Sequence, residues 1–214
     1  TVKDQRVSIF GKGLFSLKKP KKTINVGNSG TLIRLLSGVL AAQDFTSSLT
    51  GDSSLRSRPM ERILKPLKNI GAEIDSNGFK APLVIKPKGE LSAVNYTQDI
   101  ASAQIKSCLI LAALFIEGRH TFYEKIPTRD HTENLLEHFG CTINRSNDHI
   151  VMLGQQKLIA KDIKISSDIS SAAFFIVAAL ILDGSKIVIP DVNINKYRTG
   201  IIAVLRKMNA NITM

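Results

Sequence analysis

The sequence predicts an α/β (α+β) fold built from repeated βαβαββ units. Three observations predict it. One unit recurs three times: a Gly/Ser-containing turn, an apolar helix, a short strand, an Arg-led second helix and a small residue that ends it. The copies also keep their register at their ends. Ile74, Ile143 and Ile212 are spaced by 69 residues (143 − 74 and 212 − 143), as are Leu67, Leu136 and Leu205, and Gly71, Gly140 and Asn209. A repeat this long exceeds common solenoid units and can carry its own small α/β layer. Finally, 43% of the 214 residues are hydrophobic, enough for one large domain or for one domain and part of a second.

In chain order, residues 1–26 read as strands and loops, with weak alternation from Arg6 to Phe10 broken by Gly11, Gly13 and Pro20. The first repeat then places a helix near 30–43 (GTLIRLLSGVLAA), a strand near 45–51, a turn from Gly51 to Pro59 and a helix over about 59–70. Pro59 suits the first turn of that helix, where its missing N–H costs nothing. Gly71 suits a left-handed cap at its end. Strands near 72–76 and 82–87 follow, joined at Asn77-Gly78, a strong hairpin signal.

The second repeat covers about 90–154, with helices ASAQIKSCLILAAL from Ala101 and RDHTENLLEHFGCTI from Arg129 and a hairpin at Asn147-Asp148. The third begins near Lys161, with SSAAFFIVAALIL from Ser170 and RTGIIAVLRKMNANI from Arg198. Helices that are apolar nearly all round, Leu109–Ile116 and Ala172–Leu182, are expected to lie buried between layers. The amphipathic second helices are expected to cover the outside of a sheet. Cys108 and Cys141 lack metal-ligand spacing and read as reduced core thiols, which suits a cytosolic protein.

Charge narrows the function classes. The net charge is +11, which attracts anions: nucleic acid, acidic membrane or small phosphorylated substrates. The basic run KKPKK from Lys18 to Lys22 reads as a solvated loop. The chain has no Trp, only 6% aromatics and no motif of stacking rings, which weighs against nucleic acid. The best apolar run, Ala172–Leu182, is too short to span a bilayer, and no cleavable signal is visible at Thr1. No His/Cys/carboxylate cluster has metal spacing, and neither a GxSxG elbow nor a Walker loop is present.

The chemistry concentrates in turns before helices. In GNSGTLIR, Gly27 and Gly30 permit close backbone approach, while Asn28, Ser29 and Thr31 supply capping groups. The free N–H groups of the following helix make an anion site, and Arg34 one turn in adds a guanidinium. Arg58, Arg129 and Arg198 each precede a second helix, near a positive dipole end where a cation is not favoured, so their recurrence points to anions nearby. Ser102, Ala103 and Gln104 open the second repeat's first helix, Ser102 as a cap and Gln104 as donor and acceptor, with Lys106 the next charge. Ser166, Ser167, Asp168 and Ser170 open the third as caps. His131 caps its helix or orients a ligand, and His120, His138 and His149 fall at surface or strand positions.

Five segments together resemble the 5-enolpyruvylshikimate-3-phosphate (EPSP) synthases. They are GNSGT with Arg34, GDSSLRSRPM over Gly51–Met60, SAQIKS over Ser102–Ser107, TRDHTE over Thr128–Glu133 and SDISSAAFFIVAA over Ser167–Ala179. They follow the family's order and spacing through nearly the whole chain. SAQ and TRDHTE look most like the bacterial branch with glyphosate-insensitive members. The resemblance implies an inside-out α/β architecture of two domains, each of three βαβαββ units, with substrates in the cleft between. Residues 1–164 would then be most of the first domain and residues 165–214 the start of the second.

The implied reaction moves an enolpyruvyl group from phosphoenolpyruvate to the 5-hydroxyl of shikimate 3-phosphate through a tetrahedral intermediate, releasing phosphate. By motif, Gly30 and Arg58 look like ligands of the phosphoenolpyruvate phosphate, with Asn28, Thr31 and Arg34 in support. Ser102, Ala103 and Gln104 look like the shikimate-phosphate stretch, Gln104 reaching both substrates, and Arg129 with Thr128 looks like a further ligand of shikimate 3-phosphate. Some relatives carry a second Ser where Ala103 stands; the resemblance implies that a charge-assisted bond from Arg129 would replace that hydroxyl. The family's catalytic Lys, Asp and Glu have no counterpart among these residues, so the chain by itself is expected to be inactive. The resemblance implies no cofactor, no nucleic acid, no membrane, a cytoplasmic protein and a monomer when complete.

Two rivals remain at this point. A UDP-N-acetylglucosamine enolpyruvyl transferase shares the fold but normally carries a reactive Cys before the Arg-Pro, and Gly51–Pro59 has none. A non-catalytic basic nucleic-acid-binding α/β protein is favoured only by the charge.

Overall fold

A computed structural model of the chain describes residues 2–3, 6–87 and 89–214. They form a mixed α/β structure in two compact units, Thr1–Ala160 and Lys161–Met214.

The first unit opens with β1 (Val2–Lys3) and β2 (Arg6–Val7), an antiparallel pair. Then follow β3 (Ile24–Asn25), α1 (Gly30–Ala41), β4 (Ser47–Thr50), α2 (Ser53–Ser57), α3 (Glu61–Asn69), β5 (Glu73–Asn77) and β6 (Lys80–Lys86). The second repeat supplies β7 (Asn95–Thr97), α4 (Ala103–Ala113), β8 (Arg119–Tyr123), α5 (His131–His138), β9 (Ile143–Arg145) and β10 (His149–Leu153). The two repeats fold alike. Their sheets have the orders β3-β4-β6-β5 and β7-β8-β10-β9, each with one parallel pair, β3–β4 or β7–β8, and antiparallel pairs elsewhere. Register places Leu49 opposite Leu83 and Ile74 opposite Ile85 in one sheet, and Phe122 opposite Ile150 and Met152 opposite Ile143 in the other. All eight side chains are buried in a common core.

Helices α1 and α4 run side by side through that core, with their N-terminal turns at the same end. Gly38 permits this: a Cβ there would lie 2.0 Å from the Cys108 carbonyl oxygen. Cys108 and Cys141 are free and buried, and burial pushes the Cys108 thiol up to about 12. Helix α3 turns Ile63, Leu64 and Leu67 to the core and leaves Lys65 and Lys68 outside, as its amphipathic pattern requires.

The repeat register reaches the backbone. Gly71, Gly140 and Asn209, the three equivalent positions after the second helices, have φ of 103°, 89° and 66°. Gly or Asn is suited to such left-handed caps.

Local features differ from expectation. The turn from Gly51 to Pro59 contains α2, because Asp52 accepts a hydrogen bond from Leu55 N at 2.8 Å and nucleates a short helix. Helix α3 therefore begins at Glu61, and Pro59 lies before it rather than in its first turn. The first hairpin loop is Gly78-Phe79, not Asn77-Gly78: Asn77 pairs with Lys80, beside an irregularity between Ser76 and Asn77. Both loop residues have positive φ, 57° and 56°.

The second unit contains α6 (Ile169–Ile181) and α7 (Gly200–Lys207). The strands expected of a third repeat reduce to one parallel bridge, Ser167 to Val192. Helix α4 is buried as expected, but α6 is not: Phe174 is 79% exposed and Ile181 75%. Its apolar surface meets within the unit only a small cluster around Ile169, Ala172 and Ile202, whereas α4 packs against α1, α3 and α5.

Candidate functional site

The segment Gly27–Thr31 leaves β3 and enters α1, while Gly51 and Asp52 leave the parallel neighbour β4. Val26 N donates to Thr50 O at 2.9 Å and Asp52 N to Gly27 O at 3.1 Å, so the two exits run together. Gly51 has no room for a side chain, since a Cβ would lie 2.3 Å from Gly27 O. Ser29 caps α1, accepting from Leu32 N at 3.1 Å. Asn28 Nδ2 donates to Asp52 Oδ2 at 2.7 Å. The bonds from Leu55 N and then Asn28 hold the Asp52 carboxyl below its ordinary range.

Two arginines converge on the start of α1. A Cβ added to Gly30 would lie 3.0 Å from Arg58 Nη1 and 3.2 Å from Arg34 Nη1. Arg58 also donates to the Asn28 side chain and, at 3.4 Å, to Asn28 O. It ends α2 in an extended conformation and faces the N-terminus of α1, not that of the helix it precedes in sequence. Burial, then the charges of Arg58 and Arg62, lower the pKa of Arg34. Like charges gathered at a helix start, where the dipole is also positive, favour an anion.

Gln104 joins the second repeat to this turn. It donates from Nε2 to Thr31 Oγ1 and accepts at Oε1 from Arg34 Nη1, each at 2.8 Å. Ser102 holds the N-cap position of α4, but its side chain caps no amide, contrary to the expected capping role. Ser102, Ala103 and Gln104 are all half-buried. Thr128 is tied to Glu124, to which it donates from Oγ1 at 2.6 Å and from N at 3.2 Å. Arg129 is half-buried and shows no hydrogen bond or ion pair with the described residues. The expected residues thus fall into one connected group, Asn28, Gly30, Thr31, Arg34, Arg58 and Gln104, and a second stretch, Thr128–Arg129, that no hydrogen bond ties to the first.

Lys106 proves to be more than the next charge along α4. It is 2% exposed and forms ion pairs with Glu124 Oε2 at 2.9 Å and Glu133 Oε1 at 2.6 Å. Glu133 is fully buried; desolvation raises its pKa against the pull of Lys106. Arg62, Glu124 and Glu133 are contributors that sequence reasoning missed. A lysine in an otherwise apolar helix was the available signal, because a buried charge requires a partner. His120, expected at a surface or strand position, is a wholly buried strand residue. It accepts from Val94 N at 3.0 Å through Nδ1, and its Nε2 lies 3.0 Å from Ile116 O, so Nε2 carries the proton. Among the described residues, no group of three or more His, Cys, Asp or Glu is placed to hold a metal ion.

In the third repeat Arg198 pairs with Asp168 at 2.9 Å and donates to the Ser170 hydroxyl, at the start of α6. Asp168 itself caps that helix, accepting from Ser170 N at 3.0 Å. An arginine before the second helix returning to the turn before the first is therefore common to repeats one and three.

The sequence profile of EPSP synthase (3-phosphoshikimate 1-carboxyvinyltransferase) matches residues 2–214. The chain is 48% identical over 214 residues to the 3-phosphoshikimate 1-carboxyvinyltransferase of Hydrogenovibrio crunogenus, covering 97% of this chain and 48% of that protein. The enzyme of the same name from Ruthia magnifica is 49% identical over 208 residues, with the same coverage. The solved EPSP synthase of Acinetobacter baumannii superposes with a TM-score of 0.83 at 45% identity, over 94% of this chain and 46% of that one. The chain spans about half the length of these relatives. With its motifs, its repeated units and its whole described length in agreement, the chain belongs to the EPSP synthase family.

Proposed function

We propose that these residues supply phosphate-binding surfaces of an enzyme that transfers the enolpyruvyl group of phosphoenolpyruvate to the 5-hydroxyl of shikimate 3-phosphate. The observation that carries this is the joining of two helix starts: Gln104 of α4 bridges Thr31 and Arg34 of α1, where Arg34 and Arg58 crowd around Gly30. Amide groups of a helix start and two guanidiniums are suited to a phosphate. On this reading Gly30, Arg58 and the supporting Asn28, Thr31 and Arg34 receive the phosphoenolpyruvate phosphate. Ser102, Ala103, Gln104, Thr128 and Arg129 receive shikimate 3-phosphate. The two units belong to two domains of the complete enzyme, which works as a cytoplasmic monomer without a cofactor. No helix among the described residues is long and apolar enough to cross a membrane.

Binding does not require turnover. General acid–base work needs proton-transfer groups within hydrogen-bond reach of the reacting atoms, and the family's motifs assign none to these residues. The expected result with the 214-residue chain is weak, roughly millimolar, binding of each phosphate compound and no phosphate release above background when both are present. Calorimetry and a phosphate-release assay measure the two. Turnover would show that catalytic groups lie among these residues; absence of any binding would reject the site. A titration with nucleic acid at varied salt is expected to show no steep salt dependence.

A further inference from the structure

Arg129 differs from its two counterparts. Arg58 is bonded to Asn28 and Arg198 to Asp168 and Ser170, each in the first turn of its own repeat, while Arg129 meets no partner among the described residues. This is not for want of acids nearby in the chain. Glu124, Asp130 and Glu133 lie within five residues on either side. Each is committed elsewhere. Lys106 takes Glu124 and Glu133 at 2.9 and 2.6 Å, and Arg145 takes Asp130 at 3.4 Å. Arg145 also bonds Asn134 at 2.8 Å and pairs with Glu137 at 2.5 Å.

We propose that Lys106 and Arg145 are positioning residues that hold the neighbouring carboxylates away from Arg129, so that its guanidinium stays available to an external phosphate ester. This rests on the reading of Arg129 as a ligand of shikimate 3-phosphate. The physical case is competition. A carboxylate released beside an arginine forms an internal, charge-assisted pair, and an incoming phosphate must then displace it. Lys106 acts from the buried side, and through Glu124 it also secures Thr128, the residue before Arg129. Arg145 acts from the surface side, where its side chain is 28% exposed.

The test is titration of the 214-residue chain with shikimate 3-phosphate and, separately, inorganic phosphate, read by calorimetry and by the NMR signal of the Arg129 side chain. Arg145→Gln, a surface change that leaves the core intact, is expected to weaken binding about threefold, as befits an exposed pair. Adding Asp130→Asn is expected to restore it. Lys106→Met is expected to weaken binding about tenfold, with recovery when Glu124→Gln and Glu133→Gln are both added. Recovery is the decisive readout, since a second loss within a merely structural network would deepen the damage. If Lys106→Met unfolds the chain, the Arg145 series decides alone. Unchanged affinity in Arg145→Gln, or no recovery with Asp130→Asn, would overturn the proposal. Binding that survives Arg129→Gln, or absence of binding by the parent, would instead reject the site reading on which it rests.

Discussion

The N-terminal turns of α1 and α4 hold the same place in successive repeats, yet they manage their charge in different ways. Around α1 the positive groups are crowded: Arg34 and Arg58 both reach Gly30, and burial, then the charges of Arg58 and Arg62, lower the pKa of Arg34. Arg58 is steadied by neutral oxygens of Asn28 and Ser54. Around α4 the charges are paired internally, Lys106 between Glu124 and Glu133, and Arg129 stands apart from those pairs. The same topology thus carries one turn where cations are concentrated and another whose neighbouring carboxylates are paired with Lys106 and Arg145. The difference follows from burial: Lys106 of α4 is 2% exposed, whereas Arg58 is only half-buried. A charge buried in α4 must be neutralised where it sits, whereas Arg58 reaches its partners from the surface.

The largest expected effect breaks the apposition that makes the comparison possible. Gly38→Ala should force α1 away from α4, because the new methyl meets the Cys108 carbonyl oxygen at 2.0 Å. A loss of about 3 kcal/mol in urea unfolding is expected, the upper range for overpacking. Gly200→Ala, in α7 where an added Cβ meets nothing within 4 Å, is the control and should be neutral or slightly stabilising. Equal effects at the two glycines would show that helix contact at Gly38 is not what positions the turns.

Next in size are the arginines. Arg58→Lys should weaken phosphoenolpyruvate about tenfold with little change for shikimate 3-phosphate, and Arg129→Lys should do the reverse, since a lysine loses the bidentate fork. Affinities of each variant for each compound decide the matter. Equal losses for both compounds in both variants would merge the two sites into one.

A smaller change sharpens the α1 side. Gly30→Ala places its methyl 3.0 and 3.2 Å from the ends of Arg58 and Arg34, both flexible side chains that can give by a few tenths of an ångström. Stability should hold to within about 0.5 kcal/mol. If glyphosate occupies the phosphoenolpyruvate site read here at Gly30, its inhibition constant in the complete enzyme should rise more than the Michaelis constant for phosphoenolpyruvate, by about tenfold. Resistance of the parent to millimolar glyphosate would place the determinant elsewhere.

The smallest effect separates the two repeats by acid. His120 of β8 is held neutral; burial lowers its pKa, and protonating Nδ1 would break its bond from Val94 N. The unfolded chain takes that proton near the ordinary pKa of about 6.5 while the folded chain resists it. The contribution is therefore complete above about pH 6.5 and declines as pH falls through the lower folded value. Hydrogen exchange should show the second repeat's sheet loosening first on acidification, and His120→Gln should flatten that dependence.

The amino-acid sequence by itself determined the repeat, the register that makes Gly71, Gly140 and Asn209 equivalent, and the left-handed cap at Gly71, because periodicity and backbone permissiveness are local properties written residue by residue. It also singled out the residues that the structure gathers at the start of α1, Asn28, Gly30, Thr31, Arg34, Arg58 and Gln104, since glycines, caps and arginines before helices are legible at short range. It misplaced the first hairpin by one residue and missed α2, where a single capping aspartate outweighs the turn signal. Only the tertiary structure decided that Arg58 faces the start of α1, that Gln104 joins two repeats, and that Lys106 is buried between two carboxylates. It alone decided that α4 is enclosed while α6 leaves Phe174 and Ile181 exposed, although both carry a run that is apolar nearly all round. The physical reason is common to these cases: pairing, packing and desolvation depend on what a distant segment brings to the same place, and a one-dimensional pattern does not state which segments meet.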